Sequence, residues 1–185
     1  MRESERRYST VSITLHWTIA ALLLANVLVG GWMEDAEGPA KFGWFATHKS
    51  IGITVFVLTL VRLGWRIGHP WPALPTHMAG WERILARGTH VAFYVALLAI
   101  PLLGWAAASA GGAPTTSWFG LFPVGNLPVP HSESLGETLG GAHKLLIKAA
   151  YVLIGLHILG ALKHQFLNRD GVLHRMLPIL PVPRD

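Results

Sequence analysis

The chain contains no cysteine. That excludes disulfides, iron–sulfur clusters, thiolate zinc sites and covalently attached c-type haem. Charge is scarce too: 14% of the 185 residues are Asp, Glu, Lys or Arg, against about a quarter in an ordinary soluble domain. A third absence is local, since the segment from Ala110 to Gly141 holds no Lys or Arg. The net charge of +5 suggests nucleic acid at first sight, but the basic residues avoid the apolar segments and gather in particular loops. Their distribution is topological, and no nucleic-acid partner is expected.

Apolar residues are abundant, at 51%. They concentrate in four stretches, placed at about 10–32, 47–66, 87–109 and 142–167. Each is close to the ~20 residues that cross ~30 Å of hydrocarbon. The fold class expected is all-α: one integral membrane four-helix bundle over residues 1–185. Arg2, Arg6 and Arg7 precede the first stretch as they would a signal peptide. The apolar run is longer than the usual ~7–15 residues, and no convincing cleavage site follows, so it reads as a retained span.

Arg2, Arg6 and Arg7 lie in the amino-terminal tail, Arg62, Arg66, Arg83 and Arg87 flank the second connection, and Lys163, at the end of the fourth stretch, leads into a tail with Arg169, Arg175 and Arg184. The first connection carries Glu34, Asp35 and Glu37 against Lys41 alone. The positive-inside rule then predicts a multi-pass protein of a bacterial inner membrane with both termini cytoplasmic.

Histidines lie inside these stretches at matched depths. His16 is near the inner end of the first span, His48 at the outer end of the second, and His143 at the outer end of the fourth. His157 is fourteen residues past His143, hence ~21 Å deeper and within ~40° of the same helix face. The predicted pairs are His48 with His143 outside and His16 with His157 inside. An ionisable side chain in a bilayer is costly and usually functional. Imidazole also suits zinc or copper, but each level offers only two firm protein ligands. Haem brings the other four nitrogens, so two haem b groups, with these histidines as axial ligands, are expected. Gly30, Gly31, Gly52, Gly104, Gly155 and Gly160 lie near these levels, where a missing side chain admits either a macrocycle or a neighbouring helix.

The sequence resembles the small bacterial cytochrome b561 family over nearly its whole length. The resemblance rests on Ile13-Thr14-Leu15-His16-Trp17, His48-Lys49-Ser50-Ile51-Gly52, Val61-Arg62-Leu63 and Trp71-Pro72-Ala73-Leu74-Pro75. It continues through His90 with Tyr94, Pro101-Leu102-Leu103-Gly104, Trp118-Phe119-Gly120, His143 and Gly155-Leu156-His157 ahead of Lys163-His164. It implies axial ligation by His16, His48, His143 and His157. It also implies electron transfer between an outer donor and the quinone pool, with oxidation of superoxide and reduction of ubiquinone as one activity. The other activity considered is that of a cytochrome b membrane anchor, carrying electrons between quinone and a partner dehydrogenase or hydrogenase subunit.

His90 lies about as deep as His16 and is a second candidate inner ligand; the resemblance leaves it to bond a haem propionate or a quinone carbonyl. Arg62 is the expected propionate partner. Ser12 or Thr14, with His90 and His164, are the expected quinone contacts, His164 as a proton donor or as a plain interfacial residue. Lys49, Lys144 and Lys148 adjoin the outer histidines and would steer an anionic donor, on an outer face that is acidic overall. His69, His77, His131 and His174 are expected to be solvated, and the Trp118–Pro130 stretch to cover the outer site or anchor at the interface.

Overall fold

A computed structural model of the chain describes residues 7–75 and 78–180; Arg2, Arg6, His77 and Arg184 lie outside them. Four long helices follow one another: α1 (Thr10–Asp35), α2 (Gly38–Gly68), α3 (Gly80–Ala110) and α4 (Glu133–Lys163). All four are long and apolar enough to cross a membrane. Their outer surfaces carry exposed Leu24, Leu28, Val57, Val91, Val95, Val152 and Leu159, a distribution suited to lipid and not to water. The interior between α1 and α2 is closed by Ile19, Val29, Ile51 and Val55.

The first helix starts where expected, at Thr10, whereas α2, α3 and α4 outrun the predicted spans at their amino-terminal ends. Hydropathy locates only the part inside hydrocarbon, whereas capping sets where a helix begins. Ser132 accepts from the Leu135 amide (3.3 Å) and starts α4 nine residues before the expected position. The Glu82 carboxylate accepts from the Ala79 amide (3.3 Å) and starts α3 at Gly80. Pro39, in the first turn of α2, is pre-set for a helix. The acidic first connection is thereby absorbed into helices, leaving Ala36 and Glu37 between α1 and α2.

Residues 111–132 connect α3 to α4 at the end of the bundle expected to be outer and contain a small hairpin, β1 (Thr116–Trp118) and β2 (Phe122–Val124). Thr116 faces Val124 and Trp118 faces Phe122 across it; Phe119 (φ 46°) and Gly120 (φ 78°) form the turn. Side chains of α2 tie it down. Ser50 Oγ accepts from the Phe119 amide (3.1 Å) and shares its one proton between Ala46 O on its own helix (2.8 Å) and Ser117 O (3.3 Å), while Trp118 Nε1 donates to Thr54 Oγ1 (3.0 Å). Ser50→Ala should therefore destabilise the hairpin by about 1–3 kcal/mol, seen as faster proteolysis between residues 111 and 132.

At the opposite end the start of α1 meets the segment that follows α4. The Tyr8 amide donates to Arg175 O (3.3 Å), and Trp17 Nε1 donates to Met176 O (2.9 Å). Burial pushes the Tyr8 phenol above its ordinary value, against the pull of Arg66, Arg175 and Arg62. After Lys163, α4 loosens into a π turn over His164–Asn168, and Arg169 takes a left-handed conformation (φ 50°). The tail then folds back under the bundle. One expectation fails here: His174 is 7% exposed, not solvated, with Nδ1 donating to Leu180 O (2.6 Å). The tail's return makes it an internal clamp.

Candidate functional site

At the level expected to be outer, α2 and α4 bring His48 and His143 together with ring centroids 6.2 Å apart and planes at 87°. Each ring is oriented by a main-chain carbonyl. His143 Nδ1 lies 2.8 Å from Ile100 O on α3, and His48 Nδ1 lies 3.3 Å from Asn26 O on α1. A carbonyl can only accept, so Nδ1 carries the proton and Nε2 keeps its lone pair. Glycine makes these approaches possible. A Cβ at Gly104 would stand 2.9 Å from His143 Cε1, and one at Gly30 3.4 Å from His48 Cε1. Gly52 faces Asn26 Nδ2 instead, 3.7 Å from its would-be Cβ.

At the level expected to be inner, α1 and α4 place His16 and His157 with centroids 6.1 Å apart. His90 from α3 is an edge-on neighbour of His157 at 5.5 Å and contacts Trp71 at 5.5 Å. Its Nδ1 lies 2.7 Å from Ala86 O. His16 differs from the other oriented rings: Arg62 Nη1 donates to its Nδ1 at 3.0 Å. A guanidinium has no acceptor, so this contact requires an unprotonated Nδ1. Arg62 Nε is buried without a partner.

Other expected contacts are dispersed. Ser12 is buried and accepts from Ser9 Oγ (3.0 Å), whereas Thr14 is exposed. His164 binds Asp170 (Nδ1 to Oδ2, 2.6 Å) at the end of α4, with Asn168 Nδ2 3.3 Å away. The three lysines do not share a surface. Lys49 is only 8% exposed, which removes it from the outer steering face. Lys144 is exposed and paired with Glu34 at 3.2 Å, and Lys148 is exposed. Sequence reasoning missed the Ile100 and Asn26 carbonyls, which have no residue signature, and Asp170, which only the returning tail brings to His164.

A membrane four-helix bundle in which half-buried imidazoles meet in pairs between helices is the architecture of a membrane b-type cytochrome. The chain belongs to the prokaryotic cytochrome b561 family, whose profile matches residues 7–178. It is 32% identical over 175 residues to "Cytochrome b561 homolog 2" of Escherichia coli (strain K12), covering 92% of this chain and 91% of that one. It is 30% identical over 183 residues to "Probable superoxide oxidase CybB" of Yersinia pestis, covering 94% and 97%. Against "Cytochrome b562" of Cereibacter sphaeroides it is 32% identical over 180 residues, covering 94% and 96%. Membership makes the protein a multi-pass inner-membrane electron-transfer protein of a family that carries b-type haem.

Proposed function

We propose that the chain holds two haem b groups, one between His48 and His143 and one between His16 and His157, and carries electrons from superoxide outside to ubiquinone inside. The ring separations carry this reading. Two imidazoles bound to opposite faces of one iron have centroids ~6 Å apart, from about 2 Å per metal–nitrogen bond and ~1 Å from nitrogen to ring centre. Both pairs stand at that separation, 6.2 and 6.1 Å. His90, at 5.5 Å from His157, is closer than a shared iron allows. Haem supplies one-electron redox chemistry and four equatorial nitrogens.

The residues supply position and access. Ile100 and Asn26 hold the outer imidazoles by Nδ1, which leaves each Nε2 lone pair available to a bound iron. At the inner level a His16 that bound iron through Nε2 with Nδ1 protonated would release the Arg62 guanidinium, which bonds that Nδ1 at 3.0 Å. Its unpartnered Nε supports the propionate as its new partner. The two levels lie ~21 Å apart along α4. The arginine-rich end of the bundle, where both termini lie, is assigned to the cytoplasm.

In the overall reaction two superoxide ions each give up one electron and leave as dioxygen, and ubiquinone takes two electrons and two protons. The name of the Yersinia pestis relative supports superoxide as donor. His90 and His164, the latter held by Asp170, are the proposed inner contacts for quinone and its protons. Alanine at either should slow quinone reduction severalfold and leave the haem content unchanged; loss of a haem would sink that role.

The direct test is a pulse of superoxide given to oxidised, purified protein, followed at the haem bands with and without ubiquinone. Fast reduction that quinone reverses, and that superoxide dismutase abolishes, is expected. Haems reduced by dithionite but not by superoxide would replace this donor with a partner dehydrogenase or hydrogenase subunit.

A further inference from the structure

Lys49 is a cation in the wrong place for a surface role. It is 8% exposed, and its Nζ is buried with no hydrogen-bond partner. Its neighbours place it at the outer level. It follows His48 directly on α2, and its ammonium lies 5.9 Å from the centre of the Trp105 ring on α3. Trp105 in turn follows Gly104, the residue against which the His143 ring rests. Ser50, next after Lys49, fastens the hairpin over this end. Lys49 is therefore wedged between α2 and α3, beside the imidazole pair and close to the hairpin's attachment.

A buried ammonium has three donors and no acceptor, and it is costly unless an anion faces it. The indole ring offsets part of that cost, but it cannot accept three hydrogen bonds. The outer carboxylate with a mapped cation, Glu34, is engaged by Lys144. We infer that Lys49 anchors a carboxylate of the group gripped by His48 and His143, that is, a propionate of the outer haem. This rests on the assignment of that pair made above. The ion pair would fix the macrocycle's rotation about the axial ligands, which two imidazoles alone leave free. It would also hold a positive charge near the iron, favouring its reduced form.

The test uses the haem-loaded protein with its propionate carboxyls labelled with 13C, as wild type, Lys49→Met and Lys49→Arg. Redox titration of Lys49→Met should lower one of two midpoints by about 59 mV, a tenfold change in the one-electron equilibrium, and leave the other in place. The labelled carboxylate stretch in the reduced-minus-oxidised infrared spectrum should move in both variants. Lys49→Arg keeps the charge, so its midpoint should stay near wild type while its guanidinium alters the carboxylate geometry; it serves if Lys49→Met loses the haem. A labelled band that stays put in both variants overturns the proposal. So does slower reduction by superoxide with band and midpoints unchanged, which would make Lys49 the station of a diffusing anion. His48→Ala is measured alongside. If it retains both haems, the assignment of the pair fails, and the Lys49 proposal fails with it.

Discussion

His143→Ala should leave the protein with one haem in place of two, read as the ratio of pyridine haemochrome to protein. His143 and His48 stand at the separation of two ligands on one iron, and each Nδ1 is committed to a helix carbonyl. Removing one imidazole leaves a site with a single strong axial bond and a void against α3. His48→Ala should give the same ratio, and the double variant should be no worse, because both act on one group. His157→Ala should empty the inner level, and combining it with His143→Ala should abolish the Soret band. His131→Ala, at an exposed position, should retain both haems. His16→Ala decides the role of His90: retention of the inner haem would show that His90 can take its place, and loss is expected.

The four spans and both imidazole pairs were legible because bilayer thickness and helical rise convert sequence spacing into depth. His143 and His157 share one helix, so their relative height and facing needed no tertiary information. What the sequence concealed was of three kinds. Helix starts lay outside hydrocarbon, where Ser132 and Glu82 determine them and hydropathy has no signal. The partners of His143 and His48 are carbonyls of Ile100 and Asn26, and any residue offers a carbonyl. Burial of Lys49 and His174 depends on segments that return from a distance: α3 for one, the folded-back tail for the other. A lysine next to a histidine at a helix end reads as a surface charge until the helix that covers it is placed.

Gly104→Ala should weaken retention of the outer haem about 10- to 100-fold, the range seen when the surroundings of a metal ligand are disturbed. The added methyl would stand 2.9 Å from His143 Cε1, a distance that real side chains do not sustain, and a tight 3.1 Å from Nδ1. The ring has little freedom to yield. Its Nδ1 is bound to Ile100 O at 2.8 Å, one turn before Gly104 on the same helix, so retreat from residue 104 stretches that bond. Either α3 moves as a unit or the imidazole swings out of line with His48. Gly30→Ala is the matched control, since its methyl would meet His48 Cε1 at 3.4 Å, a contact that a shift of a few tenths of an ångström relieves. Transfer of haem to excess apomyoglobin measures both. Gly104→Ala should lose one haem quickly and the other at the wild-type rate, while Gly30→Ala stays within a few-fold of wild type. Equal rates for the two glycine variants would mean that α3 yields freely, and that Gly104 serves helix packing and not the seating of His143.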